Sequence, residues 1–137
     1  MNAEEPLNEL YGRKSKIPKG LVKLWEDIMR EAIKESLSVY VGKNIVAFNV
    51  FPPTGAPTGF VVSPEDNTVQ ISGDVATLED MENEVIDELK SINCEITDIH
   101  RGHLFLGDAV ISHIHYTAKM NIYDVAQFLK RLRWLYA

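Results

Sequence analysis

At 137 residues and 15.5 kDa the chain has the size of one ordinary domain, large enough to bury a core without disulfides or metal staples. Its 45% hydrophobic and 25% charged residues are the balance of a folded protein, not of a disordered one. A net charge of −6 and a pI near 5.2 argue against general nucleic-acid binding, and no uncharged apolar run approaches the roughly 20 residues of a membrane span.

The opening "MNAEEPLNELYGRK" clusters charge of both signs and has no apolar signal core. Residues 1–17 read as a flexible N-terminal arm, and 18–137 as a single α+β domain. From Leu21 the apolar positions Leu24, Trp25, Ile28, Met29, Ala32, Ile33, Leu37 and Tyr40 recur every three or four residues, predicting one long helix that ends near Gly42. "NIVAFNVF" (Asn44 to Phe51) is short, β-branched and aromatic, the composition of a strand. "FVVS" and "TVQISGDV" predict two more strands around the "PEDN" turn, and connections this short imply antiparallel pairing.

Between the first two of these strands lies "FPPTGAPTGF", where Pro53, Gly55, Pro57 and Gly59 mark a candidate interaction loop. Leu78, Met81, Val85, Leu89 and Ile92 then form a stripe over 78–92, with Thr77 as candidate cap and Asn93 as exit residue, which predicts a second helix. The acidic run Glu79 to Glu88, including Glu82, reads as its solvated face. A final helix starts at the potential cap Asn121, with Ile122, Val125, Leu129 and Leu132 on one side.

Between those helices, "CEITDIHRGHLFL" and "AVISHIHYTAKM" flank Gly107-Asp108, a pair suited to a tight hairpin. The expected fold is therefore α+β in the order α-β-β-β-α-β-β-α, an antiparallel sheet of about five strands with helices mainly on one face. From Thr68 onward the β-α-β-β-α order resembles a ferredoxin-like or ACT-like unit lacking its closing strand. That edge is left for an earlier strand or for a second chain to fill.

The second hairpin holds all four histidines. With Gly107 and Asp108 at the turn, Gly102 falls opposite His113 and His100 opposite His115. His100, His113 and His115 then share one face, and His103 takes the other. Opposed Cβ atoms lie about 5 Å apart, so these three imidazoles form a candidate site for a divalent transition metal, with Asp98 on the same face.

No serine, cysteine or lysine has a recognisable nucleophile context, and the lone Cys94 points to a reducing, cytoplasmic compartment. The expectation is a non-enzymatic regulatory or adaptor domain that recognises a protein partner and self-associates as a dimer. The alternatives are a small-ligand or metal-sensing domain built on the histidine cluster, and a small enzyme with a pocket between sheet and helices.

Overall fold

The computed structural model describes residues 15–33, 36–51, 58–103 and 109–136, with all their side chains except those at 36, 51 and 133–136. Its elements are α1 (Lys19–Ala32), β1 (Ser36–Val41), β2 (Val46–Phe51), β3 (Thr58–Val62), β4 (Thr68–Leu78), α2 (Glu82–Ser91), β5 (Glu95–His103), β6 (Val110–Asn121) and α3 (Val125–Tyr136). Short 3-10 turns at Glu79–Met81 and Ile122–Asp124 lead into α2 and α3. The fold is α+β, with six strands in one antiparallel sheet ordered β1-β2-β3-β4-β6-β5 among the described residues.

The largest departure from expectation is at the first helix, which stops at Ala32 instead of running to Gly42. Ile33 is already extended (φ −121°, ψ 115°), and residues 36–41 form an additional strand along β2. The reason lies in "SLSVYV": Leu37, Val39 and Val41 alternate, and β-branched valines favour a pleated surface with a paired neighbour. Leu37 and Tyr40 also satisfy a helical spacing, so the local pattern is ambiguous and the pairing with β2 decides it. Upstream, the Lys16 amide donates to the Lys43 carbonyl at 2.8 Å and Ile17 is buried, so the chain is anchored at the β1–β2 turn before α1 begins.

Alternation along the strands defines two faces. Val46, Phe48, Val50, Phe60, Val62, Val69, Ile71, Val75, Ile114 and Tyr116 are buried on one of them. They share a core with Trp25 and Met29 of α1, Val85 and Leu89 of α2, and Val125, Phe128 and Leu132 of α3. Two details fix this assembly. Asn67 sits at φ 57° in the β3–β4 turn, a left-handed conformation that Asn tolerates. Its Oδ1 accepts the indole N–H of fully buried Trp25 at 3.0 Å, and its carbonyl accepts the Ile122 amide at 2.9 Å, so one turn residue ties α1 to the approach of α3.

Gly73 is the second detail. It lies directly opposite fully buried Tyr116 across β4 and β6. A Cβ there would stand 2.5 Å from Tyr116 Cζ and 2.8 Å from Cε1, with Oη nearer still. Absence of a side chain is thus what lets the ring approach β4 this closely.

The second helix also differs from its prediction. β4 runs on through Thr77 and Leu78, which pair with Ser112 and Ile111, so Thr77 does not cap a helix. The 3-10 turn resets the helical phase. Leu78 and Met81 are exposed, and the stripe that meets the sheet is Glu82, Val85 and Leu89. Asn93 exits the helix at φ 64°, as expected, and the Asn121 side chain accepts the Tyr123 amide at the start of the second 3-10 turn. The closing edge beside β4 is filled from within the chain by β3.

Candidate functional site

The sheet face opposite the helices carries the candidate site. On β6 the outward positions are Ile111, His113, His115, Thr117 and Lys119, because Ser112, Ile114, Tyr116 and Ala118 between them are buried. β4 supplies the neighbours on one side: Asp74 lies opposite His115 and Ala76 opposite His113. β5 supplies those on the other, but in a register two residues from the expected one. His100 pairs with His113 and Gly102 with Ile111, whereas the turn at Gly107-Asp108 would have set His100 against His115. A two-residue shift preserves the face, so His100, His113 and His115 still stand together while His103, opposite Val110, falls on the other side.

An irregularity between Ile96 and Asp98 makes this arrangement possible. Ile96 pairs with Tyr116 and Asp98 with His115, leaving Thr97 as one extra residue in β5. Such a bulge reverses which residues point outward. It turns Ile99 and Arg101 toward the helices and Asp98 and His100 toward the open face.

The result is two short rows across three strands, Asp74–His115–Asp98 and Ala76–His113–His100. Asp74 Oδ2 lies 3.4 Å from His113 Nδ1 and 3.9 Å from His115 Nε2, and Asp98 Oδ2 lies 2.7 Å from His100 Nε2. The His100 and His115 rings meet edge to face with centroids 5.2 Å apart. Asp74 is the least exposed of the five at 17%, while His113 and His115 remain 45% and 38% open to solvent. Among the described residues, no group of three or more His, Cys, Asp or Glu side chains is placed to hold a metal ion.

Arg101, turned inward by the same bulge, meets a carboxylate that the sequence reading had placed in solvent. Glu82 is 8% exposed, because the reset helical phase aims it at the sheet. Arg101 Nε donates to Glu82 Oε2 at 2.9 Å and Nη2 to Oε1 at 2.5 Å, a bidentate fork, and the fully buried Ser112 hydroxyl donates to Oε2 at 2.5 Å. The Arg101 bonds, followed by that of Ser112, hold the Glu82 carboxyl below its ordinary range. Every oxygen of this carboxylate is engaged, so the trio reads as a structural tie between α2, β5 and β6.

Of the expected interaction loop, Pro53, Gly55 and Pro57 lie outside the described residues. Gly59 is a strand residue of β3, paired with Asn49 and Ser72, and so is not part of a loop. A shallow, open depression lies at one end of the sheet, lined by Leu78, Glu79, Asp80, Ala109 and Val110. Cys94 is buried, and burial pushes its thiol up to about 11, which leaves it protonated and unreactive near neutrality. No helix among the described residues is long and apolar enough to cross a membrane.

Asp74, Arg101 and Ser112 were not singled out by sequence reasoning, and Glu82 was placed on a solvated face. Asp74 had a signal, since Ser72, Asp74 and Ala76 alternate with Val69, Ile71 and Val75; its histidine neighbours depend on the long-range pairing of β4 with β6. Comparison of the chain with protein-family models, with curated proteins and with solved structures gives no match in any of the three.

Proposed function

We propose that the protein is a non-enzymatic regulatory or adaptor domain that acts through protein–protein recognition and works as a homodimer joined along β1. The observation that carries this reading is the contrast between the two sheet edges. β5 is defended by Glu95, Asp98, His100 and Arg101 and by its bulge, the usual devices that keep an edge from pairing. β1, "SLSVYV", has six residues with no charge, no proline and no bulge, and it pairs with β2 alone among the described residues.

Leu37, Val39 and Val41 face the core side yet are only partly buried, so a further strand would complete their cover. Two-fold antiparallel pairing about Val39 sets aliphatic positions against aliphatic ones and Ser38 against Tyr40, with no charge opposed to like charge. The same strand remains a template for an extended partner segment. A ferredoxin-like or ACT-like topology for β4-α2-β5-β6-α3, with β3 in the place of the closing strand, accords with a binding module, although fold alone names no activity. A reducing, cytoplasmic setting suits the single buried cysteine.

Light scattering coupled to gel filtration tests the proposal. The wild type is expected at about 31 kDa, twice 15.5 kDa. Val39→Lys, which places a charge in the middle of the edge, is expected to yield the monomer with an unchanged circular dichroism spectrum. A synthetic Ser36–Val41 peptide with flanking residues should compete for the same edge. A wild type that stays monomeric, or a dimer indifferent to Val39→Lys, refutes the reading.

A further inference from the structure

We propose that the depression at the Leu78 end of the sheet, together with the exposed turn beside it, docks a partner polypeptide segment in which a Lys or Arg neighbours a large apolar residue. This rests on the reading of the chain as a recognition domain and names the kind of partner. Leu78 and Met81 are 48% and 49% exposed, left out of the core by the shifted phase of α2. They stand three residues apart across the 3-10 turn, the spacing at which its side chains eclipse, so they share one side of it. Leu78 also lines the depression with Ala109 and Val110, which carries the apolar surface from the turn into the hollow. Contiguous exposed apolar surface with a polar rim marks a contact site, as scattered single residues do not.

The rim decides the charge of the partner. Glu79 and Asp80, which lie between Leu78 and Met81 in the chain, border the same depression. Among the described residues neither carboxylate is held in a salt bridge. Arg101 feels the charge of Glu79, but its Nε and Nη2 are committed to Glu82, so it does not close the rim. A Lys or Arg answers both halves of the surface at once: its aliphatic stem lies along Leu78 and Val110, and its charged head meets the carboxylates in water. The net charge of −6 adds a long-range attraction for a basic segment. Because the hollow is shallow and open, it cannot enclose most of a free metabolite, as small-molecule sites do. A polypeptide segment extends past the hollow onto Met81 and gains the contact that a small ligand lacks.

A random peptide library displayed on phage and selected on the untagged full chain supplies the probe. Enrichment of Lys or Arg next to Leu, Ile, Met or Phe is expected. The consensus peptide, labelled with a fluorophore, is then titrated by anisotropy. Glu79→Gln combined with Asp80→Asn is expected to weaken binding by about tenfold, and Leu78→Ser and Met81→Ser each by a similar factor. Glu65→Gln, an exposed carboxylate in the β3–β4 turn, should leave affinity unchanged. Raising NaCl from about 0.05 to 0.5 M should weaken the wild type far more than the chain lacking both rim charges. All these side chains are exposed, so the variants should keep the wild-type circular dichroism spectrum. An empty selection, enriched peptides without a basic residue, or a consensus peptide that binds the rim and Leu78→Ser variants as tightly as wild type overturns the proposal. β2 and β3 separate β1 from β4, so Val39→Lys should not affect the peptide. A monomer that binds the peptide strikes the dimer alone, and a dimer that binds none strikes this surface alone.

Discussion

Gly73→Ala isolates one contact on which the packing of β4 against β6 depends. The added methyl would stand 2.5 Å from Tyr116 Cζ and 2.8 Å from Cε1, where ordinary carbon contacts lie at about 3.5–4.0 Å. The ring would have to retreat by about 1 Å. Tyr116 is fully buried beneath the helices, with Ile114 and Val75, also fully buried, among its neighbours on β4 and β6, so no solvent gap absorbs the shift. Overpacking of a closed core typically costs 1–3 kcal/mol, and this geometry places the change at about 3 kcal/mol. In a domain of this size that is a fall in Tm of about 10 °C. Urea denaturation of wild type, Gly73→Ala, Tyr116→Leu and the double variant forms a cycle. Removing the ring relieves the clash, so the double variant should be more stable than the sum of the singles by at least about 1 kcal/mol. A single-variant loss below about 0.5 kcal/mol, or singles that add within that margin, would show that the ring is not held over Gly73 as described.

Two further perturbations probe the other ties. Asn67→Gly keeps the left-handed turn but removes the acceptor of the Trp25 indole, and is expected to cost about 1–3 kcal/mol; Asn67→Ala adds a further 1–2 kcal/mol of backbone strain, roughly, so urea midpoints should rank wild type, Gly, Ala. Equal midpoints for the two variants would remove the backbone part of this account. Glu82 has its carboxyl held below the ordinary value of 4.5 by Arg101 and then Ser112, so the folded state prefers the ionised form. Its contribution is fully present above pH 4.5 and is lost as pH falls through the lower folded value. Urea midpoints measured from pH 7 down to pH 3 should therefore drop more steeply for wild type than for Glu82→Gln; parallel curves would mean that the ion pair contributes no pH-dependent stability.

Long-period features were legible in the sequence, and short ambiguous ones were not. The β3 and β4 strands, the turn at Asn67, the exit at Asn93 and the cap at Asn121 that opens the 3-10 turn before α3 follow from local chemistry, since each rests on residues whose own backbone preferences agree with their place. Leu37 and Tyr40 failed because a six-residue stretch can match both a helical and an alternating pattern, and only β2, which is contributed by a later segment, selects between them. Glu82 failed for a related reason. A 3-10 turn of three residues shifted the phase of α2, exposing Leu78 and Met81 and carrying an acidic residue into the buried stripe. Among the histidines the shared face was readable from parity, whereas the partner of each required the register.

That register turns on Thr97, and the bulge there links the two polar clusters of the molecule. In strict alternation Ile96 and Ile99 would lie on opposite faces, yet both need cover; one extra residue reconciles them. The spacing of three between two isoleucines was thus a visible sign of a bulge in an otherwise alternating strand. Its consequence is felt on both sides of the sheet at once. Arg101 reaches Glu82 on the helix side, and Asp98 and His100 join His113 and His115 on the open side. The ion pair with Glu82 therefore ties the inward side of β5 to α2 at the residue next to His100, whose place on the open face follows from strand alternation. One strand thus carries a structural contact on one face and part of the candidate site on the other.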